Sequence, residues 1–417
     1  MEASRPSDAA ALARGGAREA ASLTAAVKSI ARACGARAVR IAGAGADDVA
    51  RERMRAAFRR GDFATWSYDD RYAAAASDPQ TILPGARAVV CIAVPYATRA
   101  AGERRGHGRV SAYAWSHDYH HRMQTLLRAI AARIDALAGA SVTRVACDTA
   151  PLAERAFAAR AGLGWIGKHT SLIVKGLGSA VFLGEIVTTL ELDPDPPLRT
   201  SCGRCSACLD ACPTGALRGD RTIDATRCIS DLTQRRDAIP RALRPLVGTW
   251  VWGCDLCNDA CPPSVRAGRA GDEACEPADE HAAQPDLQAL LRTRGGAFRR
   301  LRRTAMGWRG AAVLRRNAAV ALGNGLDRAD VPALADALHE DGSALVRIHA
   351  AWALGRIGSP RATEALRAAL TTETDAAVRE EVAAALETLR AGPPQGASGR
   401  DRSRPGTPSD DAGVQRE

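Results

Sequence analysis

Residues 202–213 read CGRCSACLDACP and residues 254–262 read CDLCNDACP, so seven cysteines fall in two short runs. The first run has the spacing C-x2-C-x2-C-x3-C-P, which is typical of ligands to iron–sulfur clusters. Its first three cysteines lie on a loop tight enough to reach three corners of one cubane cluster, whereas the fourth points away toward another. The spacing therefore predicts a domain built around two [4Fe–4S] clusters.

The second run is one cysteine short of the same pattern, so one ligand must come from elsewhere. Reciprocal exchange between the runs predicts that the first cluster is held by Cys202, Cys205, Cys208 and Cys261. The second cluster then takes Cys212, Cys254, Cys257 and a remote cysteine, for which Cys228 is the nearest candidate. Paired CxxC motifs also bind zinc, but the x2-x2-x3-Pro order is a poor zinc pattern.

Length and composition exclude several classes of protein. The chain has 417 residues, of which 46% are hydrophobic and 25% charged, so it can bury the cores of several domains and is not mainly disordered. No apolar run approaches the roughly 18 residues of a membrane span, and no secretory pattern opens the sequence. We expect a cytoplasmic protein in which twelve cysteines form no disulfide framework. Four cysteines are expected to be buried or incidental: Cys34, Cys91, Cys147 and Cys275.

Helical and strand-like segments alternate before the cysteine runs. Four segments are predicted strands: 86–95, 141–146, 171–174 and 180–190, with the last two forming a hairpin through residues 175–178. Apolar residues at helical spacing predict helices over 120–138 and 151–161. This region is therefore an α/β or α+β domain, and the proline-rich stretch 191–198 links it to the cysteine runs.

The region after the cysteine runs repeats. Residues 313–324 (VLRRNAAVALGN), 345–356 (LVRIHAAWALGR) and 377–388 (AVREEVAAALET) align without gaps at a period of 32. Short helix pairs at this period indicate an α-solenoid of the HEAT type, whereas chance similarity of alanine-rich helices would not keep three ungapped matches. The predicted division is a disordered extension (1–21), an α/β domain (22–190), a ferredoxin-like two-cluster domain (191–270), a HEAT-like solenoid (285–391) and a disordered tail (392–417).

The charge of the chain favours a polyanionic partner. The formal net charge is +10 at pH 7, and residues 292–316 hold nine arginines and no acidic residue. A solvated helix face usually mixes signs, so this stretch indicates phosphate contact more than a merely solvated surface. Aromatic residues make up only 4% of the chain, which argues against a surface built mainly on stacked bases.

Three further motifs lie in the first domain. Asp148 follows a predicted strand and precedes a predicted helix, where it serves either as a helix N-cap or as a carboxylic acid that gives a proton. Residues 162–167 (GLGWIG) match the dinucleotide fingerprint but follow a helix, so these glycines are expected to cap it and allow close backbone approach. The segment Tyr113–His121 is expected to pack and hydrogen-bond rather than to bind a metal.

Together these features resemble the epoxyqueuosine reductases, cobalamin-dependent iron–sulfur enzymes of the last step of queuosine synthesis in tRNA. The resemblance covers roughly residues 22–390 and rests on the cysteine runs, the HEAT-like repeats and these segments: LPGARAVV (83–90), YAWSHDYHHRM (113–123), DTAPLAERAFAARAGLGWIGKHTSLI (148–173), RCISDLTQ (227–234) and WGCDLC (252–257). Many iron–sulfur proteins share the cysteine runs, but their combination with DTAP and RAGLGWIGK is much narrower.

The resemblance implies roles for individual residues. Asp148 matches the family's proton donor, which we expect to lie in a dry pocket with a raised pKa, and Cys228 matches the remote ligand of the second cluster. Cobalamin would lie between the first domain and the cluster domain. The positions that line it in the family correspond to Ser111, Asp148, Leu172, Leu183, Ser230 and Asp255. Two departures are His169, where GKHT replaces the usual GKNT, and the divergent segment Tyr68–Ile82.

The implied reaction is the reduction of epoxyqueuosine to queuosine at the wobble position of tRNA. The clusters would pass electrons from an external donor to cobalamin, and the solenoid arginines would hold an anticodon stem-loop by its phosphates. We expect a monomer. Two alternatives stay open: another corrinoid iron–sulfur reductase, similar to reductive dehalogenases, and a non-catalytic electron-transfer or corrinoid-binding scaffold.

Overall fold

The computed structural model describes residues 6–96, 104–268, 275, 277–279 and 281–391. The first region contains these elements: α1 (Pro6–Ala33), β1 (Ala38–Gly43), α2 (Asp48–Arg59), α3 (Asp70–Ala76), β2 (Ala88–Pro95), β3 (Arg109–Val110), α4 (Tyr119–Ala138), β4 (Thr143–Ala146), α5 (Glu154–Arg160), β5 (Gly164–Ile166), β6 (Leu172–Val174) and β7 (Val181–Thr188). The cysteine-rich region contains α6 (Ala207–Asp210), α7 (Ile229–Gln234), α8 (Arg244–Val247), β8 (Trp250–Trp252), α9 (Leu256–Asp259) and α10 (Pro262–Ala267).

The remaining described chain is helical. It contains α11 (Leu287–Leu291), α12 (Gly295–Leu301), α13 (Ala311–Gly325), α14 (Val331–Glu340), α15 (Ala344–Ile357), α16 (Pro360–Thr372) and α17 (Ala376–Ala391). Among the described residues, no helix combines the length and apolar character that a membrane span requires. The predicted disordered tail, residues 392–417, lies outside the described residues.

A four-stranded antiparallel sheet forms the core of the first region. Its strand order is β1-β2-β7-β4, and every residue of β2 is buried because neighbouring strands and both sheet faces cover it. Helices α1 and α4 pack on one face, and α5 packs on the other. Strand β2 alone carries seven consecutive apolar residues, Ala88–Val94, a continuous run that suits a strand covered on both faces.

Two local predictions differ from the structure. Strand β6 pairs with β5 and not with β7, so the predicted hairpin between 171–174 and 180–190 is wrong. Strand β7 instead lies in the main sheet, where it pairs with β2 along its whole length and with β4 over Glu185–Thr188. The N-terminal extension also differs, because α1 begins at Pro6; alanine, arginine and glutamate are strong helix formers.

A parallel strand pair joins the first region to the cysteine-rich region. Strand β3 pairs with β8, which lies about 140 residues later in the chain, and Ser111 N–H donates to the Trp252 carbonyl at 2.8 Å. The side chain of Trp252 is fully buried and its Nε1 donates to the Tyr113 hydroxyl at 2.9 Å. The cysteine-rich region is thus fixed directly against the segment that precedes α4.

The three repeat segments become α13, α15 and α17, which pack on one another. A Cβ at Gly323 would lie 2.8 Å from Ala353 Cα, and one at Gly355 would lie 2.8 Å from Ala385 Cβ, so glycine is what allows these helices to approach so closely. Arg315 binds Asp341 and Arg347 binds Glu373, each at the end of the helix that follows. The repeated arginine therefore links the two helices of each pair by an ion pair. The predicted HEAT-like solenoid is confirmed.

Polar side chains of α13 fix the solenoid to the cysteine-rich region. Arg316 is fully buried and donates to the carbonyls of Leu232, Arg235 and Asp237. Asn317 Nδ2 donates to the Thr233 and Val251 carbonyls at 2.7 and 2.8 Å. Because these carbonyls follow α7 and lie in β8, the solenoid supplies the hydrogen bonds that their buried ends need.

Replacing Asp341 by alanine is expected to lower the free energy of unfolding by about 3–5 kcal/mol. The Asp341 side chain is fully buried and binds the guanidinium of Arg315 through both oxygens, at 2.7 and 2.9 Å, so its loss leaves a buried cation uncompensated. Urea unfolding followed by circular dichroism measures the change. Asp336→Ala, an exposed change in α14, is the control, and equal stability of the two variants would show that the buried pair contributes nothing net.

Candidate active site

Asp148 lies on the turn that leaves the sheet after β4. Its backbone is in the left-handed region, with φ of 51°, and its N–H donates to Glu154 Oε1 at 2.5 Å. Helix α5 begins at Glu154 after Ala153, so Asp148 does not cap it. The N-cap alternative is therefore wrong. The Asp148 side chain is 54% exposed, so part of its carboxylate faces the surface.

His120, at the start of α4, lies between two carboxylates. Its Nδ1 is 2.6 Å from Asp118 Oδ1 and its Nε2 is 2.8 Å from Asp148 Oδ2. A ring nitrogen facing a carboxylate must donate, so both nitrogens carry a proton and the ring is an imidazolium. The hydrogen-bonding role expected for the segment Tyr113–His121 is confirmed at His120.

The two partners shift each other's pKa in opposite directions. The hydrogen bond to Asp148, with that to Asp118, raises the pKa of His120 to about 9. The same bond from His120 lowers the pKa of Asp148, against the effect of its partial burial. The raised pKa predicted for Asp148 is therefore wrong, because the sequence did not indicate that a cation lies beside it. The mobile proton of this site resides on His120.

Aromatic rings surround the Asp118–His120–Asp148 group. Tyr119 stacks on His120 at 4.1 Å and on Phe182 at 4.5 Å between ring centroids, and its hydroxyl bonds to Asp148. Tyr113 meets the edge of Tyr119 at 6.1 Å. The roles of His120 and Asp118 were not predicted. The sequence feature that could have indicated these roles is the cluster of polar aromatic and histidine residues immediately before a helix.

Ser111 and Asp255, two of the predicted cofactor-lining residues, are in direct contact although 144 residues separate them. Ser111 Oγ donates to Asp255 Oδ1 at 2.5 Å, and Ala112 N–H donates to Asp255 Oδ2 at 2.7 Å. Gly253 has a φ of 64°, and a Cβ there would lie 2.5 Å from the Ser111 Cβ, so only glycine allows this approach. Both side chains are buried, and their hydrogen bond links the first region to the cysteine-rich region.

The other predicted lining residues differ in position. Leu183 lies on β7, and its carbonyl is 3.6 Å from Cys147 Sγ, next to Asp148. Ser230 is half-buried in the first turn of α7, and its Oγ is 3.2 Å from Gln234 Nε2. Leu172 is 2% exposed and packs in the apolar cluster on the α5 side of the sheet. Asp148, Leu183 and Ser230 thus have side-chain surface available to a ligand, whereas Leu172 has almost none.

Four cysteines from the two runs are brought together in a first group: Cys202, Cys205, Cys208 and Cys261. Burial raises the pKa of the Cys208 thiol, and the neighbouring Cys202, Cys261 and Cys205 raise it further. Burial likewise raises the pKa of Cys261, with Cys202 and Cys205 adding to it. The Cys205 carbonyl also accepts from Lys168 Nζ at 2.9 Å, which ties this loop to the first region.

A second group holds Cys212, Cys228, Cys254 and Cys257. Burial raises the pKa of Cys257 to about 12, and Cys228 is the first of the charged neighbours that add to it. Burial also raises the pKa of Cys254, with contributions from Cys228 and Cys257, and that of Cys228, with a contribution from Cys212. Cys228 immediately precedes α7, so backbone N–H groups of its first turn face the thiol and favour the thiolate.

No group of three His, Cys, Asp or Glu side chains in the described part of the chain is placed to hold a single metal ion. A cubane cluster binds each cysteine to a different iron, so its ligands stand apart, and two loose groups of four thiols fit clusters better than zinc. None of the twelve cysteines forms a disulfide in the structure. Of the remaining four, Cys91, Cys147 and Cys275 are buried and Cys34 is half-buried.

The β5–β6 hairpin lies between α5 and the first cysteine run. A Cβ at Gly162, whose φ is 70°, would lie 2.2 Å from the Pro196 carbonyl oxygen, which confirms the predicted close backbone approach. His169 is 3% exposed, its Nδ1 accepts from Ser171 N–H at 3.2 Å, and burial lowers its pKa to about 4. Its Nε2 therefore carries the proton, and this buried donor has no partner among the described residues.

The arginine-rich stretch divides into exposed and buried parts. Arg315 and Arg316 are buried and used within the fold, so the expectation that all nine arginines contact phosphate is wrong for these two. Six are exposed: Arg292, Arg294, Arg299, Arg300, Arg302 and Arg303. The Arg303 carbonyl accepts from Asp118 N–H at 2.9 Å. The exposed arginines therefore begin directly beside the Asp118–His120–Asp148 group.

Two groups of four thiols, an acid–base group at a sheet edge and a solenoid with an arginine face define a two-cluster iron–sulfur oxidoreductase. Three family models match the chain. They are described as a 4Fe-4S double cluster binding domain (residues 201–264), epoxyqueuosine reductase QueG, DUF1730 (77–149), and HEAT repeats (309–387). The chain belongs to the epoxyqueuosine reductase family.

Curated relatives and solved structures agree with this assignment. An epoxyqueuosine reductase of Bacillus cereus is 35% identical over 322 residues, which cover 75% of this chain and 84% of the relative. That of Gloeobacter violaceus is 38% identical over 315 residues, covering 71% and 95%. A crystal structure of an epoxyqueuosine reductase with an epoxyqueuosine-modified tRNA-Tyr stem loop has a TM-score of 0.82 at 31% identity, covering 88% of this chain and 99% of that one.

A Bacillus subtilis epoxyqueuosine reductase matches with a TM-score of 0.81 at 30% identity, covering 88% of this chain and 99% of that one. In that structure a catalytic aspartate loop is described as swung out of the active site.

Proposed function

We propose that this protein reduces epoxyqueuosine to queuosine at the wobble position of tRNA. Removing the epoxide oxygen to leave an alkene takes two electrons and two protons and releases one water. The observation that carries the proposal is the Asp118–His120–Asp148 group, a proton-holding site placed between a double-cluster domain and an arginine face. An external donor supplies the electrons, the protein acts as a monomer, and its tRNA substrate places the reaction in the cytoplasm.

The residues present fit the cofactors of this reaction. The first cluster is assigned to Cys202, Cys205, Cys208 and Cys261, and the second to Cys212, Cys228, Cys254 and Cys257. Cobalamin is assigned to the space between the first region and α7, where Asp148, Leu183 and Ser230 offer surface. The buried donors Trp165 Nε1 and His169 Nε2 of the β5–β6 hairpin have no partner among the described residues. When bound, the clusters supply single electrons, and cobalamin supplies a cobalt centre that reacts with the epoxide.

The chain itself supplies the proton chemistry. Asp148 faces the opening epoxide, receives the proton of His120 across the 2.8 Å hydrogen bond and passes it to the leaving oxygen. Asp118 orients the ring through Nδ1 and stabilises its positive charge. The left-handed backbone at Asp148 belongs to a turn outside any helix, and the swung-out aspartate loop of the Bacillus subtilis relative supports a proton donor carried on a movable turn.

The assay that tests the proposal is nucleoside mass spectrometry of epoxyqueuosine-containing tRNA. The protein is reconstituted without oxygen and incubated with cobalamin and a low-potential reductant. Loss of one oxygen mass from the modified nucleoside, dependent on cobalamin, is the expected result. An unchanged nucleoside, with both clusters and cobalamin present and reducible, would show that this chain acts on another substrate.

The rate is expected to be steady through neutral pH and to fall as pH rises through about 9, where His120 loses its proton. Because the pKa of His120 is raised above its ordinary value of 6.5, its ion pair with Asp148 is complete below that value and is lost above about 9. In His120→Gln the alkaline limb disappears and the rate is low throughout. Profiles from pH 6 to 10 measure this, with the exposed His339→Gln as control; a wild-type rate that holds through pH 10 would contradict it.

A further inference from the structure

Two exposed tryptophans from distant parts of the chain stack on each other, and an arginine lies over both rings. Trp66 and Trp308 have ring centroids 5.7 Å apart with planes inclined by 29°. The Arg309 guanidinium carbon lies 3.7 Å from the Trp308 centroid and 4.5 Å from that of Trp66. The indoles are 40% and 50% exposed, which is unusual for rings of this size. We call Trp66, Trp308 and Arg309 the tryptophan platform.

The platform continues toward Asp148 through two tyrosines. Tyr68 lies parallel to Trp66, with centroids 6.4 Å apart and planes inclined by 7°, and Tyr72 is 4.3 Å from Tyr68. The charge of Asp148 is among the influences that raise the pKa of both tyrosines, after burial. Although aromatic residues are only 4% of the chain, five lie within residues 58–72. An aromatic track therefore extends from the platform toward the acid–base group.

The platform is held in place and has unused hydrogen-bonding capacity. Trp66 donates a side-chain hydrogen bond to Asp231, which also binds Arg235 and lies next to Ser230 on α7. Arg309 Nε is buried and has no hydrogen-bond partner among the described residues. A fixed Trp66 ring with a guanidinium beside it is arranged for a ligand that combines a flat face with negative charge.

The surroundings select an anionic ligand. Trp308 follows α12 and the exposed residues Arg299, Arg300, Arg302 and Arg303, and residues 292–316 hold no acidic residue. A protein partner would need an acidic face carrying a flat ring, whereas single-stranded RNA offers a base face and a phosphate at every nucleotide. Unpaired bases of RNA stack on aromatic rings and on arginine planes, while arginine and lysine side chains bind the backbone.

We infer that the tryptophan platform stacks an unpaired anticodon-loop base of the tRNA substrate and directs the neighbouring modified nucleotide along the tyrosines to Asp148. The inference rests on the proposed function for the identity of the RNA, and it adds the surface that reads the loop. Stacking is tolerant of base identity, so the platform positions the loop and leaves recognition of the modified base to the pocket.

Equilibrium binding of a fluorescently labelled, unmodified anticodon stem-loop to the full-length protein tests the inference without requiring turnover. Trp308→Ala is expected to weaken binding about 5- to 150-fold, the range for loss of one stacked base, and Trp308→Phe to restore most of it. The slope of log Kd against log salt should be unchanged in Trp308→Ala and reduced in Arg300→Ala. Leu137→Ala, an equally exposed apolar residue on α4, should bind as the wild type does.

A stem-loop with an abasic nucleotide at the stacked position, combined with Trp308→Ala, gives a double-mutant cycle for the stacking contact. Against the wild type it should lose as much affinity as Trp308→Ala does, and combining the two changes should cost no more than either alone. Equal affinity of wild type and Trp308→Ala would overturn the inference while leaving the proposed function standing. A wild-type protein that does not bind the stem-loop at all would overturn both.

Discussion

Replacing Asp148 by asparagine is expected to lower kcat by about 10²- to 10⁴-fold, the usual contribution of a general acid. Asparagine keeps the size of the side chain and can still meet His120 through its carbonyl oxygen, but it cannot receive a proton from the ring and pass it on. Because Asp148 contacts none of the eight assigned cluster cysteines, both clusters should form as in the wild type. The rate is measured under single turnover, with iron content, cobalamin absorbance and stem-loop affinity recorded beside it.

The control for this variant is Asp336→Asn, an aspartate on the exposed side of α14. Retained clusters, cobalamin and RNA binding together with a lost rate would establish that Asp148 acts in the chemical step. If the rate is unchanged, the acid must be another group, and among the described residues His120 is the cation in ion-pair contact with this carboxylate.

Replacing Cys228 by alanine is expected to remove the second cluster and with it all turnover. Iron should fall from about eight toward about four atoms per chain, because the second cluster loses one of its four assigned thiolate ligands. Alanine is preferred to serine, whose oxygen can still ligate iron. Iron analysis and electron paramagnetic resonance of the reduced protein measure the loss.

Cys34→Ala is the matched control, since Cys34 is also half-buried and lies on neither cysteine run. It should keep the full iron content and the wild-type rate. Full iron content in Cys228→Ala would mean that another residue is the remote ligand, and zinc in place of iron in the wild type would reject the cluster assignment altogether.

The cysteine pattern carries most of what could be predicted about the site. Spacing assigns seven cysteines to two clusters and leaves one remote ligand to be found, and the neighbours that raise the pKa of Cys208 and Cys261 all belong to the first group. Ligation itself stays a prediction. Strand pairing was less accessible, because β6 and β7 each read as strands but only the folded sheet shows that β7 has both edges occupied.

Charge in the sequence does not distinguish surface from interior. Arg315 and Arg316 read as part of one basic stretch, yet the first pairs with a carboxylate 26 residues later and the second binds backbone carbonyls about 80 residues earlier. Likewise, the pKa of Asp148 depends on His120, which is 28 residues away and meets it only because α4 and β4 are neighbours in the fold. Residues so far apart in the chain meet because of the topology of the fold, which no local sequence pattern reveals.

The docking of α13 on the cysteine-rich region has a consequence for the timing of catalysis. Arg316 and Asn317 fix the solenoid to α7 and β8, and the Arg303 carbonyl holds Asp118, so the arginine face and the acid–base group cannot separate without breaking buried hydrogen bonds. The affinity of this face for the proposed tRNA substrate is then the same before and after reaction, since substrate and product differ by one oxygen. Binding energy of this uniform kind lowers KM without speeding the chemical step. We therefore expect the finished tRNA to leave the protein no faster than the unreacted tRNA does.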